Sequence, residues 1–235
     1  MKYKVMLLLG LSGIVVSCEK ITNVKLLEPA STGKLSYKIV DDSGRGLTGV
    51  KVSLFENRGI TTSYYLDPTA LKDTLRTNQD GVAVFSNLFP DNYLIVTDSP
   101  RVNNIKYNTR EFVQVIAGIE KKKVTVASEF SGSLKITLRS MYDFRTPLKN
   151  MGVAAVPYSP NKNLTDNISA VIDAAAITGI TDENGFVSLK IPSNINYYLL
   201  VYSLDRSAFT FYYENYLILK DANIPVLLYR SPVIQ

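Results

Sequence analysis

One motif occurs twice in this chain, and the repeat constrains the fold more than any other feature. Thr77–Tyr93 reads TNQDGVAVFSNLFPDNY, and Thr181–Tyr197 reads TDENGFVSLKIPSNINY. In each copy a polar turn ends in a glycine, Gly81 or Gly185, and an alternating apolar strand follows. A Pro-containing turn comes next, and a tyrosine, Tyr93 or Tyr197, opens another strand. Glycine and tyrosine are 12 residues apart in both copies, and the copies lie 104 residues apart. That spacing predicts two similar β units in tandem, and the 235 residues are enough for two halves that each bury a core.

Composition excludes several kinds of chemistry. The chain has no histidine, no tryptophan and a single cysteine. A Ser–His nucleophile pair, a His-containing zinc site and an internal disulfide are therefore all ruled out. The formal charge of +5 includes Lys2 and Lys4, and without residues 1–17 it falls to +3. The remaining basic residues are scattered apart from Lys121-Lys122-Lys123, whereas nucleic-acid binding needs a clustered basic face, so no nucleic-acid partner is expected.

The N-terminus reads as an address. Two lysines within Met1–Lys4 precede an apolar run from Val5 to Val16, which is too short to span a bilayer and has the layout of a secretory signal peptide. Val15-Val16-Ser17-Cys18 resembles the lipobox of bacterial lipoproteins. That resemblance implies cleavage before Cys18, acylation of the cysteine and a membrane partner reached through its lipid. Glu19 follows the cysteine, where aspartate would favour retention at an inner membrane, so an outer-membrane location is expected. Residues 18–32 then form a short tether.

The first domain is expected over 33–128. Leu35, Tyr37 and Ile39 alternate with Lys34, Ser36 and Lys38, and Val50, Val52 and Leu54 continue in phase after the turn Asp41–Gly46. Residues 57–71 form an excursion, Leu71–Arg76 a short strand, and Glu111–Ile116 with Lys123–Ala127 a closing hairpin around Gly118. The residues Asp41, Gly44, Leu47, Gly49, Val50, Val52, Thr77, Asp80, Gly81, Phe85, Leu88, Pro90 and Tyr93 together resemble the carboxypeptidase-regulatory-like domain, one of the transthyretin-like and Cna-B-like sandwiches. The family usually has glycine before the tyrosine; here Asn92 stands there and tolerates the left-handed backbone. The resemblance implies turns and core at these positions, not catalysis. Cna-B-like domains sometimes carry Lys–Asn crosslinks, but Lys34 or Lys38 would find no asparagine in Lys123–Ala127.

The second domain is expected over 129–235. Leu134, Ile136 and Leu138 alternate, and Gly152–Val156 echoes Gly49–Leu54, so the two early strands are offset by 99 and 103 residues. Thr165–Ile177 is either a short helix, capped by Thr165 or Asp166 with Ile168, Val171, Ile172 and Ala175 on one side, or an extended strand into Gly179. If Tyr197, Leu199 and Val201 face the core, Tyr198 and Tyr202 face outward. In Phe209–Tyr216, Phe209, Phe211 and Tyr213 share one face and Tyr212, Glu214 and Tyr216 the other. An outer face of Tyr198, Tyr202, Tyr212 and Tyr216 would suit sugar rings or a protein partner, or else pack on the first domain or under the 157–178 excursion. Asp41-Asp42 with Asp80, or Asp182-Glu183-Asn184, lack the oxygen-ligand spacing of a calcium loop and read as turns, so neither metal nor cofactor is expected.

These readings define an all-β chain: two tandem transthyretin-like (Ig-like) sandwiches of about seven strands each, after a lipoprotein signal peptide and short tether. The function they imply is non-enzymatic: a cell-envelope lipoprotein acting in adhesion or as an accessory of an outer-membrane complex, with glycan binding through the tyrosine face as the alternative.

Overall fold

The computed structural model describes residues 30–57, 66–159 and 167–231. Nine strands precede residue 127: β1 (Gly33–Val40), β2 (Lys51–Glu56), β3 (Leu71–Arg76), β4 (Val82–Leu88), β5 (Asp91–Asp98), β6 (Arg101–Val102), β7 (Ile105–Lys106), β8 (Arg110–Val115) and β9 (Glu120–Val126). They form a three-stranded sheet, β4-β1-β9, and a four-stranded sheet, β3-β2-β5-β8, with β6 and β7 as a separate small ribbon. Leu35, Tyr37 and Ile39 of β1 meet Val52 and Leu54 of β2 and Ile95 of β5 between the sheets. The alternation seen in the sequence is thus the inward face of a sandwich.

The second half repeats this plan. Its strands are β10 (Ser131–Ser140), β11 (Met151–Pro157), β12 (Thr178–Ile180), β13 (Phe186–Pro192), β14 (Asn196–Ser203), β15 (Phe209–Leu217) and β16 (Asn223–Arg230), with helix α1 (Ile168–Ala174) between β11 and β12. The sheets are β13-β10-β16 and β12-β11-β14-β15. Leaving the small ribbon aside, each half has seven strands in one topology. The first strand is central, antiparallel to the fourth and parallel to the last. Leu134, Ile136, Leu138, Leu199 and Val201 are fully buried in the second core. Each such side chain contributes about 1.5–3 kcal/mol over its exposed state.

Three sequence readings need correction. β8 and β9 are not a hairpin: β8 pairs with β5 in one sheet, and β9 pairs in parallel with β1 in the other. The turn at Gly118 (φ +74°) crosses between the layers of the sandwich. Asn92 is not left-handed, because β5 begins at Asp91 and Asn92 already pairs with Gln114; the left-handed asparagine of this stretch is Asn87, at φ +57°. Nor does Gly152 take the place of Gly49. Gly49 N–H donates to the Thr77 carbonyl, and Asn150 N–H donates to the Thr181 carbonyl. Asn150, at φ +55°, is therefore the counterpart of Gly49, and asparagine is one of the few L residues that hold that conformation cheaply. Gly152 lies two residues on, where a Cβ would come within 2.3 Å of the Tyr202 ring.

The segment left open between helix and strand contains a helix. Its N-cap is Asn167, whose side-chain oxygen accepts from Ala170 N–H at 3.0 Å, in place of Thr165 or Asp166, which fall outside the described residues. Val171 and Ile172 are buried beneath it and Ile168 and Ala175 partly so. The cluster Lys121–Lys123 lies on β9, an edge strand, where lysines blunt pairing with other chains. In the other half Pro225 occupies the same kind of edge, in β16. Among the described residues no helix is long and apolar enough to cross a membrane.

Candidate binding face

The repeated motif is built the same way in both halves. Thr77 is buried, donates its hydroxyl to the Leu47 carbonyl at 2.6 Å and accepts from Val50 N–H at 2.9 Å. Thr181 is buried, donates to the Leu148 carbonyl at 2.7 Å and accepts from Met151 N–H at 3.0 Å. The next residue closes the turn: Asn78 Oδ1 accepts from Asp80 N–H and Val82 N–H, and Asp182 Oδ1 from Asn184 N–H and Phe186 N–H. Gly81 (φ +76°) and Gly185 (φ +68°) pass so close to the first strand that a Cβ would fall within 2.5 Å of the Ile39 carbonyl oxygen or 2.4 Å of the Leu138 one. Tyr93 and Tyr197 are both buried, and Tyr93 donates its hydroxyl to the Phe89 carbonyl at 2.9 Å. The side-chain oxygens of Thr77, Asn78, Thr181 and Asp182 are thus spent on backbone.

The Asp41 turn is of the same kind. Its carboxylate accepts from Ser43 Oγ–H and N–H and from the Arg45 N–H and guanidinium, and these bonds, that of Ser43 foremost, hold its pKa down at about 2. In the second half Asp143 plays this part with Thr146 and Arg145, again at about 2. That turn is two residues longer, and its left-handed residue is Phe144, at φ +57°.

The four tyrosines do not form one face. Tyr198 and Tyr202 point outward as expected, away from Tyr197, Leu199 and Val201. Tyr212 and Tyr216 are paired with Leu199 and Tyr197 and pack against the inter-sheet core. Tyr212 donates its hydroxyl to the Tyr229 carbonyl at 2.7 Å, and burial, followed by the hydrogen bond to Glu214, pushes the Tyr216 phenol above its usual range. The alternation within β15 is as read, but its phase is the reverse. Aromatic residues occupy both faces of this strand, so hydrophobic alternation carries no phase. A bulge between Tyr197 and Leu199, opposite Tyr212–Tyr216, then breaks any count along the strand.

The outer face that results is a different aromatic row. Tyr198 meets Tyr158 edge-on at 5.2 Å and Tyr213 at 5.4 Å. Tyr213 stacks on Phe211 at 5.6 Å with the rings 27° apart, and Phe211 meets Phe209 at 6.3 Å. Tyr213 is 58% exposed and Phe209 43%, whereas Tyr202 is only 9% exposed. Tyr202 lies in the cluster that α1 covers with Val171 and Ile172, so the excursion shields one end of the row. An Arg206–Asp173 ion pair at 2.7 Å links α1 to the β14–β15 turn. Sequence reading missed Phe211 and Tyr213 here because the phase of β15 was not legible, and Tyr158 because it lies just past the end of β11. Cys18 lies outside the described residues.

The fold and these devices define the class: tandem seven-stranded β-sandwiches of one topology. No protein-family model matches the sequence, and no curated protein matches it. Among solved structures it is similar to the TIE protein of Bacillus anthracis, at 17% identity and a TM-score of 0.34, over 86% of this chain and 34% of that one. The chain thus spans about a third of that relative's length. It is also similar to GBS52, a minor pilin of Streptococcus agalactiae, at 15% identity and a TM-score of 0.34, over 87% of this chain and 98% of that one. A putative carbohydrate binding protein from Pseudomonas aeruginosa matches at 16% identity and a TM-score of 0.29, over 42% of this chain and 90% of that one. At this level of similarity no shared activity or partner follows.

Proposed function

We propose that this chain is a non-enzymatic envelope lipoprotein, held at the outer membrane by acyl chains on Cys18, that displays two carboxypeptidase-regulatory-like sandwiches for adhesion or as an accessory of an envelope complex. The observation that carries the reading is the run Val15-Val16-Ser17-Cys18, behind a basic start and an apolar core and containing the chain's only cysteine. The non-enzymatic part is supported by how the repeated motifs are used: Thr77, Asn78, Thr181 and Asp182 all have their polar atoms engaged in turns. Replacing Cys18 with alanine should release the protein from membranes. Undiminished membrane association of Cys18→Ala overturns the assignment.

A second reading, glycan binding, rests on the aromatic row of Tyr158, Tyr198, Phe211 and Tyr213 rather than on the original four tyrosines. Exposed aromatic rings stack on the C–H faces of sugars and supply much contact area at low entropic cost. A glycan array probed with the parent protein and Tyr213→Ala tests it. Binding lost on that substitution supports the reading, and no binding by the parent refutes it.

A further inference from the structure

The pole of the first sandwich at which the N-terminal tether arrives carries exposed apolar side chains on two neighbouring turns. Phe89, in the β4–β5 turn, is 61% exposed, and Ile116 and Ile119, in the β8–β9 turn, are 49% and 52% exposed. Both turns abut the incoming chain. Thr32 accepts from Gly118 N–H at 2.9 Å, Gly33 pairs with Leu88, and Ile119 accepts from Lys34 N–H at 3.1 Å. Lysines surround them. Lys72 Nζ lies 6.0 Å from the centre of the Phe89 ring and 3.6 Å from Glu56, while Lys121 and Lys122, immediately after the β8–β9 turn, have no ion pair among the described residues. The polypeptide leaves this sandwich at the opposite pole, since β9 runs parallel to β1 and ends at Val126 beside Val40.

Three large apolar side chains left exposed in these turns bring no folding energy, and they stand together beside the incoming chain. An amphipathic tip with apolar residues at its point and lysines behind suits the interface of a bilayer with anionic headgroups. The dozen residues Glu19–Ala30 reach at most about 40 Å when extended, so an acylated Cys18 keeps this pole, rather than the distal sandwich, within reach of the lipid surface. We infer that this pole is a second membrane contact: Phe89, Ile116 and Ile119 dip into an anionic bilayer interface while Lys72, Lys121 and Lys122 meet its headgroups. The inference rests on the acylation of Cys18 proposed above.

The absence of tryptophan makes a clean test possible. Full-length acylated protein carrying Phe89→Trp, or Tyr142→Trp as a control on an exposed turn of the second sandwich, is bound to vesicles of phosphatidylethanolamine and phosphatidylglycerol with brominated acyl chains. Flotation reports the acyl anchor, and tryptophan emission reports the pole. The expected result is flotation of both variants, with emission shifted to the blue and quenched for Phe89→Trp and unchanged for Tyr142→Trp. Flotation with unquenched, unshifted emission from Phe89→Trp overturns the contact and leaves the anchor standing. Failure of the unsubstituted protein, as processed by the expressing cell, to float overturns the lipoprotein reading itself.

Discussion

Thr181→Val tests most directly whether the repeated motif is a folding device. The substitution keeps the shape of the side chain and removes only the hydroxyl, which is 1% exposed together with the rest of the residue. Without it the Leu148 carbonyl loses its donor at 2.7 Å and Met151 N–H its acceptor at 3.0 Å. Each buried backbone group left unpaired costs about 1–3 kcal/mol, so the two together cost about 4 kcal/mol at the middle of that range. The more favourable burial of a methyl returns roughly 1 kcal/mol, for a net loss of about 3 kcal/mol. With a urea slope of about 1.5 kcal/mol per molar for a sandwich of this size, the midpoint falls by roughly 1.5–2.5 M. Equilibrium urea unfolding by circular dichroism and tyrosine fluorescence reads it. Thr181→Ser retains the hydroxyl and should recover most of the loss. Thr77→Val removes the same two bonds from the first sandwich and should be as costly there. A shift of under about 0.5 kcal/mol for Thr181→Val refutes the reasoning, since ordinary surface substitutions do that much.

Two further outcomes follow from the same geometry. Gly44 and Gly185 both have positive φ, but a Cβ at Gly44 meets nothing within 4 Å, whereas at Gly185 it strikes the Leu138 carbonyl oxygen. Gly44→Ala should therefore cost only the left-handed penalty of about 1–2 kcal/mol and Gly185→Ala clearly more, as thermal or urea unfolding will show. Asp41 and Asp143 have folded pKa values near 2, below the usual carboxylate value, so the charged forms are favoured by folding. Their contribution is complete above about pH 4 and is lost as pH falls through about 2. Asp41→Asn and Asp143→Asn should flatten the stability profile between those limits and lower the plateau above about pH 4, without changing its slope on the neutral-to-basic side.

The legible parts of this chain were those where one physical requirement leaves one residue pattern. Alternation in Leu35–Ile39 and Leu134–Leu138 gave two first strands because only one face of each is buried. Gly81 and Gly185 were legible because a left-handed turn touching a neighbouring carbonyl admits nothing larger. Where two residue types meet the same requirement, the sequence is ambiguous. Asn150 holds the left-handed turn as Gly49 does, so the repeat pointed to Gly152 and misplaced β11 by two residues. The partner of β9 was illegible for another reason, since a seven-residue strand shows alternation but not whether its neighbour is β8 or β1.

A recognition surface of the kind proposed would lie away from the repeated turns. Positions filled alike in both sandwiches are held by backbone geometry, because two sequences with little else in common reach the same hydrogen bonds from Thr77 and Thr181. A residue fixed by the fold in this way cannot be altered to fit a ligand without loss of stability. Residues free of that demand lie where the copies diverge. One such place is the connection between the second and third strands, which in the second sandwich forms α1 and shields one end of the outer sheet. Another is β15, whose outer face brings Tyr213 into contact with Phe211 and Tyr198. Ala at Tyr213 should therefore leave the unfolding transition of the second sandwich nearly unchanged, since its ring is mostly exposed, while removing the centre of the row.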